Sequence, residues 1–522
     1  MWWVNQGDTF GPERAGEFIW APLLSKSGRP QHHWETLDRV AAGDVILHYS
    51  NGYLRATSVA EGPSERAANP LNTDAWANEG RTVRTRYRDL NEPIALAAIP
   101  EPLRAGRGGP FTRIGSVQQG YLFPVDEKLA ADLAGHFPEI REALPEVAAP
   151  DTADLLAETV QPREIFSGFA AAVETSRLTF PAAEALVPSF LAGLLAKPFA
   201  ILTGLSGSGK TQLAMRLGEW WGRDDHGRPR HLVVPVRPDW TGPEAVFGYE
   251  DALRSASAGR SIWFVPESLE FILRAADDST RPYLLILDEM NLAHVERYFA
   301  DFLSGVESRK PLLPDLVRDE ADGSWRARSS EKLPLPRNLV VVGTVNVDET
   351  TYMFSPKVLD RASTFEFRVD ADALDPSRGR PVSAAPAPDV LLRAFCDLAE
   401  DDDWHRVHPH PDQPAIVDAL RSLHGILAAA DLEFGHRTFY EAIRFAAFYA
   451  AAGDTDVDRV LDLIVMQKLL PKVHGSRRIV EPMLTALLDV AGQESPRLPA
   501  TSRKVSRMLT AVRANQFVSF TG

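Results

Sequence analysis

Residues 204–211 read GLSGSGKT. Glycine, four residues, glycine, lysine and then a hydroxyl residue is the spacing of a loop that wraps phosphate. An apolar run at 199–203 leads into it and a helix-like stretch at 212–220 follows, which is the strand–loop–helix context the motif requires. Gly204, Gly207 and Gly209, with Ser206 and Ser208 between them, let backbone N–H groups turn toward a triphosphate. The start of the helix adds a favourable dipole. Lys210 is placed to reach the β- and γ-phosphates and Thr211 to hold Mg²⁺.

The bulk properties bound what surrounds this loop. At 522 residues the chain exceeds one hydrophobic core and divides into about three domains. A single cysteine, Cys396, excludes an internal disulfide framework and fits a reducing cytoplasm; it reads as a small buried residue rather than a nucleophile. No apolar run approaches the ~20 residues of a membrane span. The opening MWWVNQGDTF lacks the basic-then-apolar order of a secretory signal, so a cytoplasmic protein is expected. The net charge of −15 argues against a chain coated in nucleic-acid-binding surface. The charge is uneven: residues 1–125 hold 13 basic and 13 acidic side chains, so the remainder carries the whole excess and the front can still approach a polyanion.

Four segments separate along the chain. Residues 1–125 show short strand-like runs broken by Gly, Pro and Asn; the runs at 45–49 and 53–59 flank Ser50-Asn51-Gly52, a hairpin turn. Arg84, Arg86 and Arg88 alternate, which puts three guanidiniums on one face of a strand. Residues 126–165 read as a helical connector and linker. Residues 166–370 alternate strands with helices, as a mostly parallel sheet requires. Its five strands are expected at 199–203, 231–236, 283–287, 339–344 and 364–369, each the unbroken apolar run of a strand buried on both faces. After a Pro/Ala/Ser hinge at 371–387, residues 371–522 are helical.

A ligand of such a sheet sits beyond the carboxyl ends of its strands. There LLILDEMN delivers Asp288, suited to Mg²⁺, and Glu289, suited to polarising an attacking water. The next strand, LVVVGTVN, delivers Asn346, whose amide can orient that water. Arg361 stands just before the last strand, where an arginine can point at a neighbouring subunit's γ-phosphate. Arg437 opens a helix of the C-terminal region, FGHRTFYEAIRF, as a lid arginine that senses nucleotide state.

Phosphate loop, DE pair, polar strand-end residue, arginine and helical lid occur in an order that resembles the AAA+ superfamily. Within it, DEMN at 288–291 is similar to the DEIN of the McrB branch, the motors of modification-dependent restriction systems. GTVNVDETTYMFSPKVLDRA resembles that branch's stretch from sensor to arginine. The resemblance spans about 195–480. Leu292 stands where the branch has arginine, and Asn346-Val347-Asp348-Glu349 matches its MNTAD loosely; ATP and GTP both remain open as substrate.

The front segment, with MWWVNQG, HHWETLDRVAAGDVILHYSNGYLRATSVAEG and SVQQGYLF, resembles the EVE module of the PUA-like superfamily, a small β-barrel. The resemblance implies binding of a modified base. Trp3, Trp20, Trp34, Tyr49 and Trp76 are the candidate pocket, since a flipped base needs aromatic faces. His32 and His33 lack the neighbours of a zinc site. No nuclease constellation is present, so the family reading expects a separate McrC-like nuclease, DNA with a modified base, and self-association into a hexameric ring. The rival reading is a MoxR-like chaperone ATPase remodelling a protein partner.

Overall fold

The computed structural model describes residues 1–23, 36–70, 79–104, 110–111, 116–118, 120–125, 127–143, 160–178, 180, 182–258, 260–319, 322–347, 352–369, 381–492 and 496–520. The chain divides into two compact units, Met1–Ala157 and Glu158–Gly522.

In the first unit the strands are β1 (Trp2–Asn5), β2 (Phe18–Pro22), β3 (Val45–Ser50), β4 (Tyr53–Ala60), β5 (Glu65–Ala68), β6 (Glu79–Ala95) and β7 (Leu122–Pro124). They hydrogen-bond in the order β2-β6-β4-β3-β1-β7, with β5 added on β6. The β3–β4 hairpin turns at Asn51 and Gly52, both with positive φ (49° and 88°), which matches the twist of the flanking strands. Alternation along β1 sends Trp2 into one apolar cluster with Ile19 and Val83, and Trp3 into another with Leu47 and Phe111. The expected closed barrel is not shown. Among the described residues β2 and β7 do not pair, and the sheet is a curled half-barrel.

The second unit opens with helices Pro162–Thr175 and Ala183–Ala196. Its main sheet comprises β8 (Phe199–Gly204), β9 (His231–Pro235), β12 (Tyr283–Asp288), β15 (Leu339–Asn346) and β16 (Ser363–Phe367). All pairings are parallel, in the order β16-β8-β15-β12-β9. Alternate residues feed two cores: Ala200, Leu202, Ile286 and Val342 on one face, Ile201, Leu285, Leu287 and Val341 on the other. Burial on both faces is why β8, β12 and β15 read as unbroken apolar runs, whereas the edge strand β9 is only partly buried. A small antiparallel sheet, β10 (Tyr249–Glu250), β11 (Trp263–Phe264), β13 (Leu313–Arg318) and β14 (Trp325–Leu333), was not legible in the sequence, because its strands are short or polar.

Helices dominate after Asp389, chiefly Asp389–Glu400, Gln413–Ala428, His436–Ala451, Arg477–Ala491 and Pro499–Asn515. The second half of the expected hinge is not a loose connector. Val382 N donates to Ser176 O, Ala384 N to Glu219 Oε2 and Ala387 N to Trp220 O, so residues 381–387 are laid along the α/β core. Cys396 is buried, and burial raises its thiol pKa, which disfavours the thiolate.

Candidate functional site

The phosphate loop leaves the carboxyl end of β8 and enters the helix Lys210–Trp221. Gly207 and Gly209 have φ of 76° and 91°, which side-chain-bearing residues resist. A Cβ at Gly204 would lie 2.3 Å from Phe367 O of the neighbouring β16, so only glycine fits there. Ser206 follows Leu205 in the same loop, and Ser208 Oγ is buried without a hydrogen-bond partner. The Lys210 ammonium is buried and donates to the loop's own carbonyls, Gly204 O at 2.9 Å and Leu205 O at 2.6 Å. The first N–H groups of the following helix have no intrahelical partner, which makes this turn a cradle for anions.

Thr211 Oγ1 donates to Asp288 Oδ1 at 3.0 Å, so hydroxyl and carboxylate converge although 77 residues separate them. Both donors are oxygens, the set that a hard cation such as Mg²⁺ takes. Thr344, which the sequence reading missed, sits two residues before Asn346 on the same face of β15. Its hydroxyl donates to Asp288 Oδ1 at 2.7 Å and accepts from Glu289 N at 3.0 Å. Glu289 has φ 54° and ψ 48°, a left-handed conformation that costs a residue with a side chain about 1–3 kcal/mol. Asn346 Nδ2 donates to Glu289 Oε1 at 3.1 Å and so fixes where that carboxylate points. Asp288, Glu289, Asn346, Thr211 and the loop thus meet at the carboxyl ends of three adjacent strands.

Arg361 and Arg437 are elsewhere. Ser363 of β16 pairs with Ala200 and Phe367 with Gly204, so Arg361 lies below the amino end of the sheet. At ~3.3 Å per residue that is at least about 13 Å along the strand from the loop of the same chain. Arg361 Nη2 donates to Glu307 Oε2 at 2.8 Å, and its Nε lies 2.6 Å from Glu307 Oε1. Arg437 Nη1 lies 2.5 Å from Glu307 Oε1 and 2.9 Å from Asp360 Oδ2. The structure therefore gathers the two arginines at one place and holds both away from their own phosphate loop.

The cluster continues inward. Lys472 Nζ donates to Asp360 Oδ1 at 2.5 Å and to Thr438 Oγ1 at 2.8 Å. Burial pushes the Asp360 carboxyl up, but the bond and charge of Lys472, the Thr438 hydroxyl and Arg437 outweigh it, and its pKa falls below the ordinary value. One turn past Arg437, Glu441 is buried between Lys197 Nζ (3.0 Å) and Lys468 Nζ (2.7 Å). Burial opposes its charge, and the two ammoniums win, lowering its pKa. Lys468 Nζ also reaches Ala362 O at 3.4 Å, which ties the helix of Arg437 to the turn that carries Arg361.

In the first unit two of the five expected pocket residues, Trp3 and Trp20, are core, a correction to the sequence reading. Trp3 and Trp20 are 0% and 2% exposed, and Trp3 packs against Tyr49 and Phe111 at 5.4 and 5.2 Å. Neither presents a face on which a base could stack. Tyr49 is half-buried on the Trp3 ring; Trp34 and Trp76 lie outside the described residues. Arg84, Arg86 and Arg88 are exposed along β6, with Arg86 Nη2 3.0 Å from Glu61 Oε1. The interior holds a polar chain instead. Gln6 Nε2 and Tyr121 OH donate to Glu13 Oε2 at 2.5 and 2.7 Å, and His48 contacts Gln6 Oε1 and Ser58 Oγ at 2.8 and 2.7 Å. Burial raises Glu13 to about 7, against the pull of those hydrogen bonds, and lowers His48 to about 3.

Residues 393–517 match a family model described as "Domain of unknown function (DUF8727)". No curated protein matches the chain. Among solved structures, the chain is similar to a protein of Cytophaga hutchinsonii described as a "putative ATPase", with TM-score 0.39, 14% identity, 62% of this chain and 90% of that one covered. It is also similar to a full-length MCM homolog of Methanopyrus kandleri, with TM-score 0.32, 14% identity, 84% of this chain and 80% of that one covered. Among the described residues no helix is long and apolar enough to cross a membrane. The parallel order β16-β8-β15-β12-β9, the phosphate loop on β8 and the acid pair on β12 make Glu158–Gly522 an α/β unit with the P-loop fold of nucleoside triphosphatases.

Proposed function

We propose that the chain is an AAA+ nucleoside triphosphatase that hydrolyses ATP or GTP at a site completed by a second copy of itself. One observation carries the reading: the loop at 204–211 and the pair Arg361 and Arg437 stand at opposite ends of one sheet, too far apart to serve the same nucleotide within one chain. On this reading the loop N–H groups and Lys210 hold the β- and γ-phosphates, and Lys210 exchanges its own loop carbonyls for them. Thr211 and Asp288 would hold Mg²⁺, which would offset the charge on the phosphate. Glu289, oriented by Asn346, aligns the attacking water and draws its proton. Arg361, with Arg437 beside it, meets the charge that develops on a neighbour's γ-phosphate.

Glu289→Gln keeps the side chain's shape and removes its basicity. The expected outcome is retained binding of nucleotide with magnesium and a loss of turnover on the order of 10²-fold or more. Turnover at the wild-type rate in this variant removes the mechanism.

The finer reading is a motor of a modification-dependent restriction system, in ring form, with cleavage supplied by a separate McrC-like nuclease. It is supported by DEMN at 288–291, by the stretch at 343–362 and by the exposed arginine row of β6. Filter binding with methylated and unmodified duplexes over a salt series separates it from a chaperone ATPase. Salt-sensitive binding that requires residues 1–125 supports the motor; no binding at any salt favours remodelling of a protein partner.

A further inference from the structure

Glu307 lies in the last turn of the helix Ala300–Ser308 and is largely buried, at 17% side-chain exposure, while Arg437 is 41% exposed. It engages both arginines at once: Arg361 through both carboxylate oxygens and Arg437 through Oε1. Its bond to Arg361 raises that guanidinium's pKa further. Yet the approach of Arg361 Nε to Oε1, at 2.6 Å, is not aimed along the N–H. That contact is an attraction of charges more than a directed hydrogen bond. Asp360 holds the other side of Arg437 and shares Lys472. Three cations, Arg361, Arg437 and Lys472, thus face two carboxylates, which leaves one positive charge over in a patch open to solvent at Arg437.

We propose that Glu307 is a holding anion that keeps Arg361 and Arg437 as a closed pair until phosphate from a second copy displaces it. A γ-phosphate offers the same guanidinium donors more charge and more acceptor oxygens than one carboxylate, so it competes on favourable terms. Each engagement then breaks a contact within the chain before it makes one between chains. The strength of that inner contact sets the protein concentration at which copies associate and turn over. The proposal rests on the reading that nucleotide is hydrolysed between copies.

The test is self-association of wild type and Glu307→Gln with ATP or GTP and magnesium, followed by analytical ultracentrifugation, beside turnover measured against protein concentration. Glutamine keeps an acceptor oxygen and the shape while removing the charge. The expected result is a midpoint for association and turnover about tenfold lower than wild type, the loss of one charge-assisted contact, with saturated turnover within about threefold of wild type. An unchanged or higher midpoint overturns the proposal. So does a collapse of saturated turnover, which would make Glu307 a support the arginines require. If Glu307→Gln does not fold, Glu307→Asp asks the same question: the charge stays, withdrawn by one methylene, and the midpoint should fall by a smaller factor, with no fall overturning the idea. A wild type that neither binds nucleotide nor associates sinks the hydrolysis reading itself, whereas an unmoved midpoint in an active wild type sinks only the role of Glu307.

Discussion

At the carboxyl end of the five-stranded sheet, the groups placed for phosphate and water come from one loop of eight residues and the tips of two neighbouring strands. At the amino end, Glu307, Asp360, Arg361, Arg437, Thr438 and Lys472 are collected from four stretches of chain that are far apart in sequence. Both ends hold their charged groups on stand-ins from the same chain: loop carbonyls for Lys210, Glu307 for the arginines. The difference teaches that the carboxyl end is set by one loop and adjacent strand tips, and the amino end by packing of the helical region on the core; on the proposed reading each is half of one site.

The largest effect that could break this comparison comes from mixing two damaged proteins. Arg361→Ala should bind nucleotide normally and lose turnover on the order of 10³-fold, the usual worth of such an arginine. Lys210→Ala should lose nucleotide binding. In a mixture, an intact phosphate loop on one copy can face an intact arginine on another, so part of the activity returns. A mixture as inactive as its components would mean that the two ends do not serve one site.

A smaller effect sharpens the carboxyl end alone. Thr344→Val keeps the branched shape in β15 and removes the hydroxyl that joins Asp288 Oδ1 to Glu289 N. Turnover should fall about tenfold through loss of that bridge, with more magnesium needed for half-maximal rate. The protein concentration for self-association should not move, because nothing at the amino end changes. Unchanged kinetics would reduce Thr344 to a packing residue.

Much of this was legible in the sequence because its physics is local. GLSGSGKT needs glycines where φ is positive, LLILDEMN needs an apolar strand with acids at its tip, and parallel strands buried on both faces show as apolar runs. The hairpin at Asn51-Gly52 and the row Arg84, Arg86, Arg88 follow from period and turn chemistry in the same way. Other meetings of side chains across sequence were not legible. Thr344 looks like any strand threonine until Asp288 and Glu289 are brought beside it. Glu307 is one acid at a helix end until two arginines converge on it. The half-barrel rather than a closed barrel depends on whether two edges pair, which no run of residues encodes, and Trp3 and Trp20 look alike as core or as pocket until their neighbours are known.

The sequence by itself determined the phosphate loop, the acid pair and the five apolar strands, because backbone dihedrals and side-chain period are set within a few residues. Only the tertiary structure decided that Arg361 and Arg437 share one carboxylate at the far end of the sheet, because that placement depends on how the helix His436–Ala451 packs, with Glu441 held between Lys197 and Lys468.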